Sequence, residues 1–508
     1  MESDLAPQMA SGLSALYGRL SRSVSSISKV SLPILCYSDA SDSFRSDELH
    51  DNADSDMRAF LSYLAFWQDT LTHCKSLEVR DTLLDAFQAL FVEQLLYPSL
   101  LESSDVEGGS TAAVILHLCQ LLDALEQPQL VRRMLNYLFA WKAQPLPKNH
   151  KTRPRMSLSR RRSMEHLASI AQLADNPSPN LFSLQDLIVF SLRSSQYQTI
   201  TSALKLVTVL LRRHHPYVKT QLLFLMPLEF GVRQNLNGLN HTMMTLFDYA
   251  GAISHNDKLD TSYQAALTDV QIAMEQHSCL FDQDLPIDSE KDTLRVSRDC
   301  KVLGQMFSLL ESWFTNDTLV NLELTSAFAG LSACGNVLMI TWLSSMELGG
   351  GVAAILERLT QQVATWRSQF VEWDVFCSIH KAKITKEDDM VDMPTANTGS
   401  VDSGLLQRHS TEHDNISNDS SGTPSATLSA TLLETRIPIE ISSGRGPATD
   451  STARPAESDH AGESEQGDSR EQSLRHILTQ AIILQEFILE LAAALQIRAT
   501  LFDEVDLS

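Results

Sequence analysis

The chain has 508 residues, 43% of them apolar, which is enough for a substantial buried core. Its formal charge of −23 and pI near 5.0 exclude broad nucleic-acid binding, which needs a basic footprint to displace phosphate counterions, and broad adhesion to anionic lipid. Seven scattered cysteines without CxxC spacing, and an N-terminus without a basic region leading into an apolar run, exclude a disulfide-built secreted scaffold and predict a cytosolic chain.

Leu, Ala, Gln and Glu recur throughout and long alternating runs of Val, Ile and Thr are missing, so the predicted fold class is all-α. Residues 1–55 are rich in Ser, Asp and small residues and are expected to be mostly disordered, with a weak amphipathic stretch around Leu13–Leu20. Order is expected from about Met57, where Phe60, Leu61, Leu64, Phe66 and Trp67 form a helix-spaced stripe. A helix over Thr82–Leu96 is expected to end or bend at Tyr97 and Pro98, because proline disfavours a helical preceding residue. Ser110 or Thr111 can cap the next helix, which runs to Pro128, and another covers Leu130–Trp141. Residues 56–142 thus read as the N-terminal part of a helical array.

A flexible basic insertion follows at 143–180. Its stretch Lys148–Arg162 carries seven basic residues and no acidic one. Ser157 follows Arg153 and Arg155, and Ser163 follows Arg160, Arg161 and Arg162. Both are candidate phosphorylation positions, because a phosphate would offset this charge and accept hydrogen bonds from arginine; the insertion reads otherwise as a plain solvated loop, or as a local contact with acidic lipid headgroups. Residues 181–384 read as the C-terminal part of the array. Ser183 is placed to cap a stripe of Leu184, Leu187, Ile188 and Leu192, and a helix through Ile200, Leu204, Val207 and Leu211 ends in Arg212, Arg213, His214 and His215. Further helices are expected over Leu236–Ala252, Leu259–His277, Lys301–Phe314, Leu319–Ser332 and Gly351–Lys381. Their size and spacing predict an α-solenoid of HEAT- or armadillo-like helix pairs with disordered insertions.

Residues 385–470 form an acidic linker predicted to be disordered; 381–470 hold 16 Asp and Glu against 8 Lys and Arg. Within it Thr435, Ile437, Ile439 and Ile441 alternate with Arg436, Pro438 and Glu440. This pattern suits either an extended motif that joins a partner's sheet edge or a chance run. The segment 471–501 is predicted to be a terminal amphipathic helix, followed by a tail at 502–508. Its candidate docking residues are Ile477, Leu484, Phe487, Ile488, Leu491 and Leu495, facing either the chain's own array or a partner. Gln485, Glu486 and Glu490 argue against a transmembrane segment, because a carboxylate at mid-bilayer costs about 2.5–3.5 kcal/mol.

No phosphate loop, dinucleotide fingerprint, H-E-x-x-H or G-x-S-x-G pattern is present. Gly349, Gly350 and Gly351 lack an accompanying lysine or strand, and the adjacent His214 and His215 would point about 100° apart on a helix and could not share a metal. The chain is therefore read as non-enzymatic, without catalytic, cofactor or metal residues.

The segments LLYPSLLESSDVEGGSTAAVILHL (95–118), LFSLQDLIVFSLRSSQYQTITSALKLVTVLLRRHH (181–215), ESWFTNDTLVNLELTSAFAGLSACGN (311–336) and AIILQEFILELAAALQIRATLFDEV (481–505) resemble the fungal branch of the FTS- and Hook-interacting proteins, the retinoic-acid-induced-sixteen-like family. The resemblance runs from about Met57, apart from the insertion and the acidic linker; the N-terminal region and residues 221–237 depart from the family pattern. It implies a non-enzymatic α-solenoid adaptor that joins Hook and FTS and binds an early-endosomal Rab GTPase. Such an adaptor couples early endosomes indirectly to dynein–dynactin. It would be cytoplasmic and peripheral on endosomes, with no nucleic-acid partner. Two other classes stay open from the residues alone: a helical-repeat regulatory subunit of a kinase or phosphatase, and a divergent hydrolase.

Overall fold

The computed structural model describes residues 2–27, 47–103, 110–139, 182–227, 234–254, 259–277, 294–297, 299–335, 337–344, 350–370, 372–391, 436–439, 470–502 and 505–506. These are mostly helical. The elements in chain order are α1 (Glu2–Ile27), α2 (Asp47–His73), α3 (Leu77–Ala86), a π-helical stretch (Phe87–Leu96), α4 (Tyr97–Glu102), α5 (Ser110–Ala124), α6 (Pro128–Leu138), α7 (Leu184–Leu192), α8 (Tyr197–Arg213) and α9 (His215–Tyr217). Strands β1 (Leu225–Pro227) and β2 (Gln234–Asn235) precede α10 (Leu236–Ile253) and α11 (Leu259–Glu275); β3 (Leu294–Val296) precedes α12 (Lys301–Glu311). Then come α13 (Thr318–Ala333), α14 (Ile340–Leu343), α15 (Gly351–Gln369), α16 (Trp373–Val391), β4 (Arg436–Ile439), β5 (Arg470–Ser473), α17 (Leu474–Leu501) and β6 (Val505–Asp506).

Several local predictions meet their physical cause in the structure. Ser183 and Asp186 form a reciprocal capping box at the start of α7: Asp186 N–H donates to Ser183 Oγ at 3.2 Å, and Ser183 N–H to Asp186 Oδ2 at 3.1 Å. Ser473 caps α17, its Oγ accepting from His476 N–H at 3.3 Å. Two boundaries differ from expectation. The helix expected to stop at Pro98 continues through α4, because Phe87–Leu96 widens to π winding. That winding loosens the turn in which the proline ring would otherwise meet a carbonyl four residues back. The single helix expected over Gly351–Lys381 is two, α15 and α16, divided at Phe370, whose backbone is extended.

The N-terminal region departs most from its expected disorder. Ala6, Met9, Ala10, Leu13, Tyr17 and Leu20 of α1 are all buried, at steps of three and four residues. They pack on α2 and the π stretch, where the Tyr17 ring meets Phe91 edge-on at 5.6 Å and Phe60 at 5.9 Å. The Tyr17 hydroxyl pairs with Ser99 Oγ at 2.9 Å. Gly12 allows this approach, since a Cβ there would lie 2.5 Å from the Tyr63 hydroxyl.

One continuous core runs from Ala6 to Leu495, so the parts on either side of the basic insertion share it. Helices α5, α8, α13 and α17 lie side by side in that order, and α10 and α11 flank α17. Helices α7, α12 and α15 back this row. Neighbours in the row are not neighbours in the chain: α8 meets α13 across more than a hundred residues, and the last helix sits between α13 and the pair α10 and α11. The strands pair as β1 with β3 antiparallel, β2 with β6 parallel and β4 with β5 antiparallel.

Candidate functional site

Helix α17 is the element on which the others converge. By length and composition alone it is long and apolar enough to cross a membrane, yet 78% of its most apolar 18-residue window is buried inside the fold. The six predicted docking residues, Ile477, Leu484, Phe487, Ile488, Leu491 and Leu495, are all buried within the chain, and Phe487 stacks on Trp313 at 6.0 Å between ring centres. These six side chains are therefore packed inside the chain itself.

Polar side chains fix where along its axis the apolar helix sits. Wholly buried Gln480 donates to Thr318 Oγ1 at 2.9 Å and accepts from Asn321 Nδ2 at 2.7 Å, while its backbone carbonyl accepts from Trp313 Nε1 at 2.9 Å. Five residues further on, Gln485 Nε2 donates to Ala250 O at 2.8 Å and Ser254 O at 3.2 Å, at the open C-terminal end of α10. Trp373 Nε1 satisfies Ile253 O there at 2.9 Å. Near the end of α17, the buried Arg498 guanidinium donates to the carbonyls of Ser332, Cys334 (3.2 Å) and Val337 (2.7 Å) and lies 4.9 Å over the Phe502 ring. Those carbonyls end or follow α13, where the helix dipole places negative partial charge that suits a cation.

A charged seam runs along another side of the same helix. Glu486 is paired with Lys381 of α16, whose ammonium also reaches Ser262 Oγ of α11 at 3.1 Å. His380 Nε2 and Thr479 Oγ1 pair at 2.7 Å. One turn beyond Glu486, burial pushes the Glu490 carboxyl up to about 7, and the nearby charges of Glu486 and Asp269 push the same way.

Among the described residues the buried histidines and cysteines are held neutral by their surroundings. His214 and His215 are both buried, at 4% and 3% exposure. His214 Nε2–H donates to Leu122 O at 2.8 Å, and the His215 and His277 rings lie 6.0 Å apart. Burial first, then neighbouring positive charge, drives His215 down to about 3 and His277 to about 4. Cys119 and Cys377 are pushed up to about 12 by burial, which keeps both thiols protonated and unreactive. Among the described residues no group of three or more His, Cys, Asp or Glu could hold a metal ion. Gly350 and Gly351 have positive φ and turn the chain into α15, where a Cβ on Gly351 would lie 2.4 Å from Trp342 O.

An open groove of about 600 Å³ lies between α2 and the turn from α5 to α6, lined by Gln68, Asp69, Thr72, Arg80, Glu126 and Gln127. Gln68 bridges its walls, accepting from Glu126 and Gln127 N–H at 2.7 and 2.9 Å and donating to Ala124 O at 3.0 Å. Ser157 and Ser163 fall outside the described residues. In the sequence Gln485, Glu486 and Glu490 count only against a membrane span, and nothing local singles out Gln480 or Arg498 beyond their interrupting an otherwise apolar helix, which was the available signal.

The fold defines a mostly helical protein assembled around a buried C-terminal helix. Residues 1–192 match the family model of retinoic acid induced 16-like proteins. Over that segment the chain is similar to this family, which is the family of the FTS- and Hook-interacting proteins and is not a known enzyme family. The match begins at the first residue, so it includes the α1 region that the resemblance had set aside, and it ends with α7. The resembling segments 311–336 and 481–505 lie beyond it. No curated protein matches the chain.

Proposed function

We propose that this protein is a non-enzymatic adaptor of the FTS–Hook–FHIP type, linking early endosomes through Hook and FTS to dynein–dynactin. In this reading it is cytoplasmic, sits peripherally on early endosomes and recognises an early-endosomal Rab GTPase. The observation that carries the proposal is the family match over residues 1–192. The side-by-side row of α5, α8, α13 and α17 supports a solenoid-like framework of HEAT or armadillo scale, a form that offers long surfaces to partners. Exposed apolar side chains such as Val375 and Ile379, one turn apart on α16, suit protein contacts.

The test is affinity purification of the tagged full chain from its own cells, combined with tracking of early endosomes after its deletion. Recovery of Hook and FTS, with endosomes losing long-range movement while the motor still travels, is the expected result. Normal endosome movement, or recovery of a kinase or phosphatase in place of Hook and FTS, would overturn it.

A further inference from the structure

Of residues 392–469, the structure describes only the four of β4. This strand pairs antiparallel with β5, placing Arg436 opposite Ser473, Ile437 opposite Gln472, Pro438 opposite Glu471 and Ile439 opposite Arg470. Ile437 and Ile439 are two residues apart and so leave the strand on one face; they are 5% and 3% exposed and belong to the main core, while Arg436 is exposed. Strand β5 runs directly into Ser473, the cap of α17, and also touches the short helix at Trp313–Thr315.

The connection between the two strands, residues 440–469, is far longer than the two to five residues of an ordinary hairpin loop. A connector of that length does not dictate register; it only raises the local concentration of β4 near β5, as a tether does. The pairing must then be specified by the edge of β5 and by the two apolar seats that receive Ile437 and Ile439. That is the physics of an extended peptide adding to a sheet edge, carried out within one chain. Pro438 fits the same picture, because proline is tolerated in a ladder only where its nitrogen faces away from the partner strand. The outer edge of β4 consequently lacks a donor at 438, which discourages a further strand.

We infer that the β5 edge and its two apolar seats form a peptide-binding site that the chain fills with its own Arg436–Ile439, and that the site accepts from a partner protein an extended segment with branched apolar residues two apart. The partner's segment competes with the tethered one, so the tether sets the threshold for binding. The pattern noted in the sequence is thus a ligand held by its own receptor.

The experiment uses the full chain with Ile437→Asp and Ile439→Asp, which vacates the site, and a fluorescent peptide of residues 433–443. By anisotropy, the peptide is expected to bind the vacated chain at least tenfold more tightly than the unaltered chain, and a peptide carrying the same two Asp changes is expected not to bind. Equal affinity for both chains, or uptake of the Asp peptide, would overturn the proposal. Dimers forming between unaltered and vacated chains without peptide uptake would assign the site to strand exchange between copies and overturn the partner reading. Hydrogen exchange on the unaltered chain provides a readout independent of how the variant folds. The amides of Ile437 and Ile439 are expected to exchange well before those of 480–495, and simultaneous exchange would make β4 a fixed part of the fold and sink the idea.

Discussion

Arg498 carries a charge into the core with 0% exposure and donates to the carbonyls of Ser332, Cys334 and Val337, of which Cys334 O also accepts from Val337 N–H at 3.1 Å. Arg498→Met preserves bulk but leaves those carbonyls without these donors, at a cost of roughly 1–3 kcal/mol for each group left unsatisfied. Urea unfolding is expected to show a loss of about 3–5 kcal/mol, and a loss below about 1 kcal/mol would show that the loop re-pairs elsewhere. Glu490 works in the opposite direction. Its pKa in the fold, about 7, lies above its ordinary 4.5, so the folded state favours the proton and its ionisation costs stability. That cost is absent below about pH 4.5, grows as pH rises toward about 7, and is complete above it. Glu490→Gln is therefore expected to stabilise the protein at pH 8 by up to about 3 kcal/mol and to have little effect at pH 4.5, as thermal melts at the two pH values would show. A gain independent of pH would mean that packing, not charge, is responsible. Both residues stand in the sequence as interruptions of an apolar helix. What Arg498 bonds to cannot be read there, because Ser332, Cys334 and Val337 lie more than 150 residues away, and the burial that shifts Glu490 comes from packing that is equally remote.

Helix α1 shows how an element can be hidden by composition. Its stripe of Ala6, Met9, Ala10, Leu13, Tyr17 and Leu20 has regular helical spacing, but small residues and surrounding serines lower its apparent hydrophobicity. Small side chains suit it to close packing on α2, and the aromatic group of Tyr17, Phe60, Phe87, Phe91 and Trp67 makes that contact part of the core. Leu13→Ala is expected to cost about 2–4 kcal/mol in denaturant unfolding, as for a buried leucine. A mobile N-terminal tail would give no change. The π stretch before Pro98 was likewise invisible locally: proline announces a break, and only the fit of Phe87, Phe91, Val92 and Leu96 against α1 and α2 favours wider winding over a stop.

At the scale of the whole molecule, the last helix holds the row together. Removing residues 471–508 would uncover α10, α11 and α13 at once and leave Asn321, Trp313 and the end of α10 without their α17 partners. The truncated chain is expected to be recovered as aggregate or as a compact state without fixed tertiary packing, which near-ultraviolet circular dichroism and dye binding would report. A soluble, cooperatively unfolding product would mean that α17 is an accessory to a core that stands alone. The similarity to the retinoic acid induced 16-like family covers residues 1–192, while the helix that completes the core lies more than 280 residues further on.

The sequence by itself determined the helical class, most helix positions, the capping at Ser183, and the absence of familiar catalytic patterns, because each depends on residues within a turn or two of one another. Its segments also carried the family resemblance. Only the tertiary structure decided that α17 lies inside the row and not at its end, that α1 belongs to the core, and that Arg436–Ile439 is seated on its own chain. Those outcomes turn on which distant surfaces meet. An apolar stripe states that it must be covered, and the position of Gln480, Gln485 and Arg498 against remote carbonyls and amides settles by what.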